Sequence, residues 1–588
     1  MAQTTISTPL PKDSENNSPI ERDVKVVVVN DCKNNEGRLV DTTRENSFED
    51  NVLRIDLNSQ ELKLFETLKK AADAWEQGNL SISKKSVEIR VAGGWVRDKI
   101  LGLQTHDVDI ALNSCTGVEF ANVVKEYHTS SSSDGNENCS TDKKNKIGKI
   151  GVIAANPAQS KHLETACVNI FGNDVDFSNL RHETYAEDSR IPDIVVGTPR
   201  EDSYRRDCTM NALYYNLNTE RVEDWTRRGL QDLLMTKVIH TPLKAFQTFE
   251  DDPLRVLRLI RFAVRYQMQL SEDVEEACQH PKIHQELLRK VSRERVGNEL
   301  EGMLLGKHAS PIEAMDFICR LKLADSVFYP PGSFEIMGTI LQTHLKPVEY
   351  IRAGTDEVEL SRLRISAWDE SRECLKVLSS VLDSFGANIT AATNIDRRLV
   401  YLAVVLLPYA KLHYPEKQKT KSVVEYMIRE RIKLKNKDAI SLGILVNNLD
   451  EMTQLLQQFQ QIAKEAAPKL RLKAGLLLRS TKEMWLTTLI VAVVCLSRKQ
   501  VSSHDGDGLC NYALGLYEFI AVQMNLDECW KTKPLMNGKD LIRILGLKNG
   551  PEVGIYMEEQ VKWTLTNPQG TIKDLEEHLR ASKRRKNG

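Results

Sequence analysis

Two glycines and two aspartates stand close together early in the chain, at a spacing that suits chemistry on phosphate groups. The segment Val91-Ala-Gly-Gly-Trp-Val-Arg-Asp98 follows a β-rich run, and Asp107 and Asp109 come soon after it in an apolar strand. Successive strand side chains point to opposite faces, so these two carboxylates share one face. Magnesium prefers such oxygen ligands together with substrate phosphates. The pattern predicts metal-assisted nucleotidyl transfer, with Asp176 on a later strand either a third carboxylate near the metal or a solvent-facing residue.

The glycines and a nearby arginine supply the phosphate-binding half of this predicted site. Gly93 and Gly94 lie where the strand passes into a helix-like segment, and glycine lets backbone N–H groups come close to phosphate oxygens. Arg97 lies one helical turn further on and can reach the same phosphates. Gly-Gly alone is usually a tight turn, and Asp-x-Asp alone is often a solvated turn. Their order and short separation make the combination far more specific than either part.

A second group of polar residues lies in Tyr204-Arg-Arg-Asp-Cys-Thr-Met-Asn-Ala-Leu213. Arg206, with its neighbouring arginine and Asp207, is suited to clamping a triphosphate. Asn211 is suited to bonding a ribose hydroxyl. Standing alone, this segment would be interpreted as a surface ion-pair cluster.

The sharpest motif is a helix predicted to begin after Asp252. An aspartate before Pro253 is typical of a helix N-cap followed by a first-turn proline. Arginines occupy one face of the predicted helix and apolar residues the other. The alternative interpretation of the basic face is a solvated surface without a binding role. The arginines of this face are Arg255, Arg258, Arg261 and Arg265.

Asp252 and Arg255 lie three residues apart, so their side chains are neighbours on one helical turn. An acceptor beside a donor matches a base edge that offers an exocyclic amine beside a ring nitrogen. Cytosine and adenine present this pair, whereas uracil and guanine present the reverse polarity. Protein side chains at these two positions can therefore select C and A without a nucleic-acid template.

Taken together, the motifs resemble those of the tRNA nucleotidyltransferase (CCA-adding) and poly(A) polymerase family, class II branch, in its eukaryotic CCA-adding form. The resemblance covers residues 90 to about 305 in family order, and the helical remainder is similar only in length and character. Asp251 stands where the family motif has glutamate, which is a flanking position. The motifs that carry the resemblance are Gly93-Gly94-x-Val96-Arg97-Asp98, Asp107-x-Asp109, Arg205-Arg206-Asp207-x-x-x-Asn211-Ala212 and Asp251-Asp252-x-x-Arg255.

The resemblance implies addition or repair of the 3′-terminal CCA of tRNA from CTP and ATP, with Mg²⁺ as cofactor. It implies that Asp107 and Asp109 are catalytic and hold two metal ions, with Asp176 as an open third ligand. A loop at about 129–148 lies where the family has a mobile element needed for the switch from C to A. The residues implied to bind the nucleotide are Gly93, Gly94, Arg97, Arg206, Asp207, Asn211, Asp252, Arg255, Arg258 and Arg261.

The order of helical and strand signals predicts an α+β protein, with an α/β nucleotidyltransferase head followed by a long all-helical neck, body and tail. Residues 1–50 are polar and irregular and are predicted to be disordered. We expect the head at 51–240, the neck with the nucleotide-reading helix at 241–320, and a tRNA-binding body and tail at 321–588.

Composition is that of an ordinary globular protein of 588 residues, with a net charge of −2 and eleven scattered cysteines. No cysteine pattern suggests zinc, so reduced thiols in a cytosol-like compartment are expected. The apolar run Met484–Leu496 is shorter than the roughly 20 residues of a membrane span and predicts a buried helix. We expect a cytoplasmic protein with the nucleus as a second location, and an organellar form would need an upstream targeting sequence. Neither a membrane nor an obligate protein partner is predicted.

Two rival functions were weighed against CCA addition. Bacterial poly(A) polymerases share these motifs, but after the Asp-x-Asp strand they carry a basic Gly-Arg-Arg-Phe-like signature. This chain has Asn113-Ser-Cys-Thr-Gly-Val-Glu-Phe120 there and lacks their basic tail. A catalytically inactive RNA-binding scaffold would be expected to have lost the metal carboxylates, and Asp107 and Asp109 are both present.

Overall fold

The structure is a computed structural model in which the chain forms two compact units. One unit contains the described residues up to Ser292, and the other contains almost all of those from Arg293 onward. The predicted disordered tail at 1–50 lies outside the described residues, as does most of the predicted loop at 129–148. The structure describes residues 55–80, 85–131, 146–153, 164–184, 193–306, 308–329, 357–386, 395–416, 419–461, 467–499 and 506–587.

The first unit is built around a seven-stranded mixed sheet, ordered β3-β4-β5-β2-β1-β8-β9. Within it β2 and β5 are parallel, and the other neighbouring pairs are antiparallel. The strands of the unit, which also include the two separate pairs β6–β7 and β10–β11, are β1 (Ile89–Ala92), β2 (Asp107–Leu112), β3 (Gly151–Ile153), β4 (Thr165–Ile170), β5 (Asn173–Asn179), β6 (Arg181–Thr184), β7 (Asp193–Val196), β8 (Leu213–Asn216), β9 (Arg221–Asp224), β10 (Val238–Ile239) and β11 (Gln269–Leu270). The helices of the first unit are α1 (Ser59–Glu76), α2 (Gly94–Ile100), α3 (Gly117–Ser131), α4 (Pro199–Tyr204), α5 (Gly229–Gln231), α6 (Ala245–Asp251), α7 (Arg255–Tyr266), α8 (Glu272–Cys278) and α9 (Pro281–Lys290).

Apolar residues recur at helical spacing ahead of the first strand, and this segment forms α1. Asn58 caps it, because its side chain accepts the N–H groups of Gln60 and Glu61. Leu64, Leu68 and Trp75 on its apolar face are fully buried. Burying each such side chain contributes about 1.5–3 kcal/mol, which explains why α1 packs against α3.

The described residues of the second unit are helical apart from connecting turns and the short hairpin of β12 (His413–Glu416) and β13 (Lys419–Ser422). The predicted fold class, an α/β head followed by a helical region, is confirmed. The division at residues 50, 240 and 320 stays a prediction. The helices of the second unit are α10 (Arg293–Leu305), α11 (Pro311–Arg320), α12 (Ala324–Val327), α13 (Glu357–Gly386), α14 (Arg397–Val405), α15 (Val423–Tyr426), α16 (Asn436–Gln461), α17 (Ala467–Thr481), α18 (Trp485–Lys499), α19 (Gly506–Glu518), α20 (Gly538–Leu545), α21 (Pro551–Thr566) and α22 (Ile572–Asn587).

One helical stretch, Lys469–Arg498, is long and apolar enough to cross a membrane by length and composition. About two thirds of its most apolar window, 67%, is buried inside the protein. A buried position of this kind is typical of a core helix, and this agrees with the prediction for Met484–Leu496. Nine cysteines in the part of the chain that the structure describes are all free thiols.

Candidate active site

The turn between β1 and α2 brings Gly93 against a guanidinium group. Gly93 has φ +56°, a backbone conformation that favours glycine. A Cβ atom at this position would lie 2.7 Å from Nη1 of Arg206 and 3.1 Å from the carbonyl oxygen of Asn211. The N–H of Gly93 donates to the carbonyl of Leu213 at 2.9 Å. Glycine is therefore required here both for the backbone conformation and for the close approach of Arg206.

Three carboxylates meet on neighbouring strands beside this turn. Asp107 and Asp109 are exposed on one face of β2, as predicted, and Asp176 of β5 pairs in register with Asp109. Partial loss of surrounding water raises the pKa of Asp109, Arg206 opposes this, and Asp176 and Asp107 raise it further. The structure thus places Asp176 beside the two predicted catalytic aspartates.

The donor set fits a divalent cation, because mutual repulsion among three carboxylates is relieved when a metal ion binds between them. Among the described residues, no three acidic, histidine or cysteine side chains form a ready-made metal cage. Magnesium needs no such cage, since it usually takes one or two carboxylates and completes its shell with water and substrate phosphates.

A single buried carboxylate, that of Asp202, organises the adjacent arginines. Asp202 is 1% exposed and accepts hydrogen bonds from Nε and Nη2 of Arg205 at 2.8 and 2.6 Å. It also accepts bonds from Nε and Nη2 of Arg206 at 3.2 and 2.9 Å, and from the hydroxyl of Tyr214. Burial would raise the pKa of Asp202, but Arg206 and Arg205 hold it far below its usual range. The sequence analysis overlooked Asp202, although its i,i+3 and i,i+4 spacing to the arginines is a usable signal.

Asp207, Asn211 and Arg97, all predicted to bind the nucleotide, are joined to one another in a buried chain of hydrogen bonds. Nη1 of Arg97 donates to Oδ1 of Asn211, whose Nδ2 donates to Oδ1 of Asp207 at 3.0 Å. Arg97 also donates to Asp98 at 2.8 Å. The polar groups of Arg97 and Asn211 are therefore engaged with protein, which favours a positioning role over direct contact with the nucleotide.

The arginines of α7 do not form a solvated surface, so this alternative interpretation of the basic face is wrong. Nε of Arg258 donates to Asp207 at 2.7 Å, and Arg265 donates to Asp98 at 3.4 Å. Arg261 lies over the ring of Phe262, 4.5 Å from its centroid. Two carboxylates from the sheet side of the unit thus bind the basic face of the helix, a pairing that one-dimensional periodicity cannot show.

The predicted start of α7 is wrong by two residues. The helix begins at Arg255, and its N-cap position is Leu254 rather than Asp252. The reason is a turn, in which the carboxylate of Asp252 accepts the N–H of Leu254 at 3.2 Å and its carbonyl accepts the N–H of Arg255 at 3.0 Å. Asp252 still satisfies a backbone donor near the helix start, as a capping residue does.

Arg255 is fixed by main-chain carbonyls and lies next to Asp252 in the turn. Its Nη1 donates to the carbonyl of Thr248 at 3.2 Å, and its Nη2 donates to that of Arg205 at 2.7 Å. The second bond links the predicted base-reading residue to the arginine pair that Asp202 holds. The structure therefore brings the two motifs together in one network.

Asp251, the residue that departs from the family motif, titrates near neutral pH. Burial raises its pKa from 3.8 to about 6, and the surrounding charges of Arg255, Glu250, Glu183 and Lys290 adjust it. A folded-state pKa above the unfolded value means that the folded protein binds this proton more tightly. The contribution of Asp251 to stability therefore falls as pH rises from about 4 through 6.

We expect Asp251→Asn to raise the midpoint of thermal unfolding, Tm, at pH 7.5, because the substitution removes a partly buried negative charge. Near pH 4 the wild-type carboxyl is protonated in the folded state, so the gain should vanish. Differential scanning fluorimetry of both proteins across pH 4–8 measures this difference. A gain of equal size at every pH would contradict the assignment.

The comparisons with known proteins agree with this geometry. Residues 89–239 match the family described as the poly A polymerase head domain. The chain is 33% identical to the tRNA nucleotidyltransferase cca2 of Schizosaccharomyces pombe over 533 residues, which cover 90% of this chain and 99% of that protein. The chain belongs to the CCA tRNA nucleotidyltransferase family. Nucleotidyltransferases of this polymerase-like type are generally metal-dependent.

Two further comparisons extend the match over nearly the whole chain. The mitochondrial CCA tRNA nucleotidyltransferase of Saccharomyces cerevisiae is 33% identical over 550 residues, covering 92% of this chain and 96% of that protein. A solved CCA-adding enzyme in its apo form superposes with a TM-score of 0.54 at 19% identity, covering 90% of this chain and 96% of that one. The structural likeness supports the fold, including the helical region in which sequence motifs were lacking.

Proposed function

We propose that this chain adds or repairs the 3′-terminal CCA of tRNA, using CTP and ATP without a nucleic-acid template. The observation that carries the proposal is the 33% identity along 99% of a CCA-family relative. The open carboxylate face of Asp107 and Asp109 beside the arginine pair supports it, since both halves of a nucleotidyl-transfer site are retained.

In the proposed mechanism Asp107 and Asp109 hold Mg²⁺, and Asp176 supports them as a third carboxylate. When bound, the metal ions lower the pKa of the primer 3′-hydroxyl and neutralise charge on the triphosphate. Gly93 and Gly94 form the turn at the start of α2, and Arg206 lies against Gly93. These three residues would orient the phosphates for attack by the 3′-hydroxyl.

Selection of the base is assigned to Asp252 and Arg255. The guanidinium of Arg255 is held by two carbonyls, so its remaining N–H groups are fixed in direction. A preorganised donor beside a carboxylate rejects a base of reversed polarity, because the buried polar groups would then be left unpaired. Arg258 and Arg261 would support α7, and Arg97, Asp207 and Asn211 would hold the ribose and phosphate contacts in place.

The test is addition to a tRNA transcript that lacks its 3′ end, with each nucleotide alone and in mixtures, followed by sequencing of the products. We expect growth by C, C and A followed by a stop, and no incorporation from GTP or UTP alone. Unlimited A tails would move the assignment to poly(A) polymerase. Absence of any product with Mg²⁺ present would favour an RNA-binding scaffold.

Two finer assignments also belong to this proposal. The helical second unit would bind tRNA through its phosphates and A-form shape, so binding should weaken as salt rises. Deleting the loop at about 129–148 is expected to leave C addition intact and to abolish the switch to A. We place the protein in the cytoplasm and nucleus, although the Saccharomyces cerevisiae relative is named as mitochondrial.

A further inference from the structure

Arg181, at the start of β6, has a buried guanidinium nitrogen without a hydrogen-bond partner. Its Nε is shielded from solvent and is unpaired in the part of the chain that the structure describes. Leaving a buried donor unsatisfied costs about 1–3 kcal/mol, and more for a charged group. An anion that accepts a hydrogen bond from this guanidinium would remove that cost.

The backbone places Arg181 beside the candidate active site. Leu180 packs against Ala92, Ala111 and Tyr214, on the face of the sheet that Asp109 shares with Ala111. The chain therefore crosses this face just before Arg181 begins β6.

The same carboxylate that organises the arginine pair also fixes the main chain at Arg181. The N–H of Arg181 donates to Oδ1 of Asp202 at 2.9 Å, and Oδ2 of Asp202 binds Arg206. Arg181 and Arg206 are thus anchored to opposite oxygens of one buried side chain. Both of their positive charges act on Asp109, lowering its pKa.

The carboxylates nearest to Arg181 are bound by another arginine. The two carboxylates near Arg181, those of Asp202 and Glu183, bind Arg205 at 2.6 and 2.9 Å. Burial and then the charge of Arg205 lower the pKa of the Arg181 guanidinium. Both of these carboxylates are thus engaged by Arg205, and the further described carboxylate on which the charge of Arg181 acts is Asp109 of the proposed metal site.

We propose that Arg181 binds a phosphate group at the active site, that of the triphosphate tail of the incoming nucleotide. This inference rests on the proposed function and adds a nucleotide-contacting residue to it. The anchor shared with Arg206 favours the nucleotide, because Arg206 lies over Gly93 in the proposed phosphate-binding turn. A guanidinium suits this role, since its planar N–H groups match the oxygens of a phosphate.

The test compares Arg181→Gln and Arg181→Lys with the control Arg221→Gln, which removes an exposed arginine on the edge strand β9 of the same sheet. Equilibrium binding of CTP, CMP and tRNA to the full-length protein is measured, together with Tm. Arg181→Gln should weaken CTP binding about tenfold or more, the loss expected for a charge-assisted hydrogen bond. CMP and tRNA carry no triphosphate tail, so their binding should stay within about twofold of wild type.

Further outcomes separate a phosphate contact from a structural role. Tm of Arg181→Gln should be unchanged or higher, because a crowded buried cation is removed, and Arg181→Lys should recover part of the CTP affinity. Unchanged CTP binding, equal losses for CTP and CMP, a loss confined to tRNA, or a clear fall in Tm would each overturn the inference. Wild-type protein that adds no CCA, yet binds CTP through Arg181, would refute the proposed function alone.

Discussion

Replacing both Asp107 and Asp109 by asparagine is expected to lower nucleotide incorporation by about 1,000-fold or more. Metal ions at such a site contribute several kcal/mol to the transition state, and each 1.4 kcal/mol corresponds to a factor of ten in rate. The fold should persist, because both side chains are exposed on β2 and asparagine has the same shape. Tm should stay level or rise, since the carboxylates repel one another across β2 and β5.

Metal binding gives a readout that is independent of activity. For the wild-type protein we expect Mg²⁺ with CTP to raise Tm, and for the double variant we expect this shift to disappear. Asp73→Asn, which removes an exposed carboxylate on α1, is the matched control and should keep the shift and the activity. Full incorporation by the double variant would show that the metal assignment is wrong.

Asp202→Asn is expected to produce the largest loss of stability in the first unit. The carboxylate accepts four bonds from two arginines, one from Tyr214 and one from the N–H of Arg181. Removing one partner of a buried ionic network costs about 3–5 kcal/mol, because the remaining charges lose their compensation. The amide would also turn donor hydrogens toward guanidinium groups that have no acceptor to offer.

Thermal unfolding should therefore show Tm falling by about 6–20 °C, given about 2–4 °C for each kcal/mol in a domain of this size. The KM for CTP should rise as well, since Arg206 loses its anchor. Glu201→Gln is the neighbouring control, because it removes an exposed carboxylate of the same helix and costs at most about 1 kcal/mol of capping energy. A Tm within 2–3 °C of wild type, with unchanged KM, would contradict the network's role, since a change that small is worth about 1 kcal/mol.

The chemistry and much of the layout followed from local sequence. Alternation along a strand places Asp107 and Asp109 on one face whatever the rest of the chain does, because strand geometry has a period of two residues. Gly93 marks a turn that only glycine tolerates beside Arg206, and the apolar run near Met484 predicted a buried helix. These features depend on residues close together in the chain, so a short sequence motif is enough to predict them.

Contacts between distant segments were decided by the tertiary structure alone. Asp207 and Asp98 bind arginines of α7 that lie 51 and 167 residues away, and these bonds exclude the solvated surface that was the alternative interpretation of this face. Asp202 and Arg181 carry no family motif, and their importance appears only when β6 and β8 bring Arg181 and Tyr214 to Asp202 on α4. The sequence determines which charges are available and on which face each one lies. Burial decides which of them are bonded to protein and which are left for a substrate, because water is excluded only after the chain has folded.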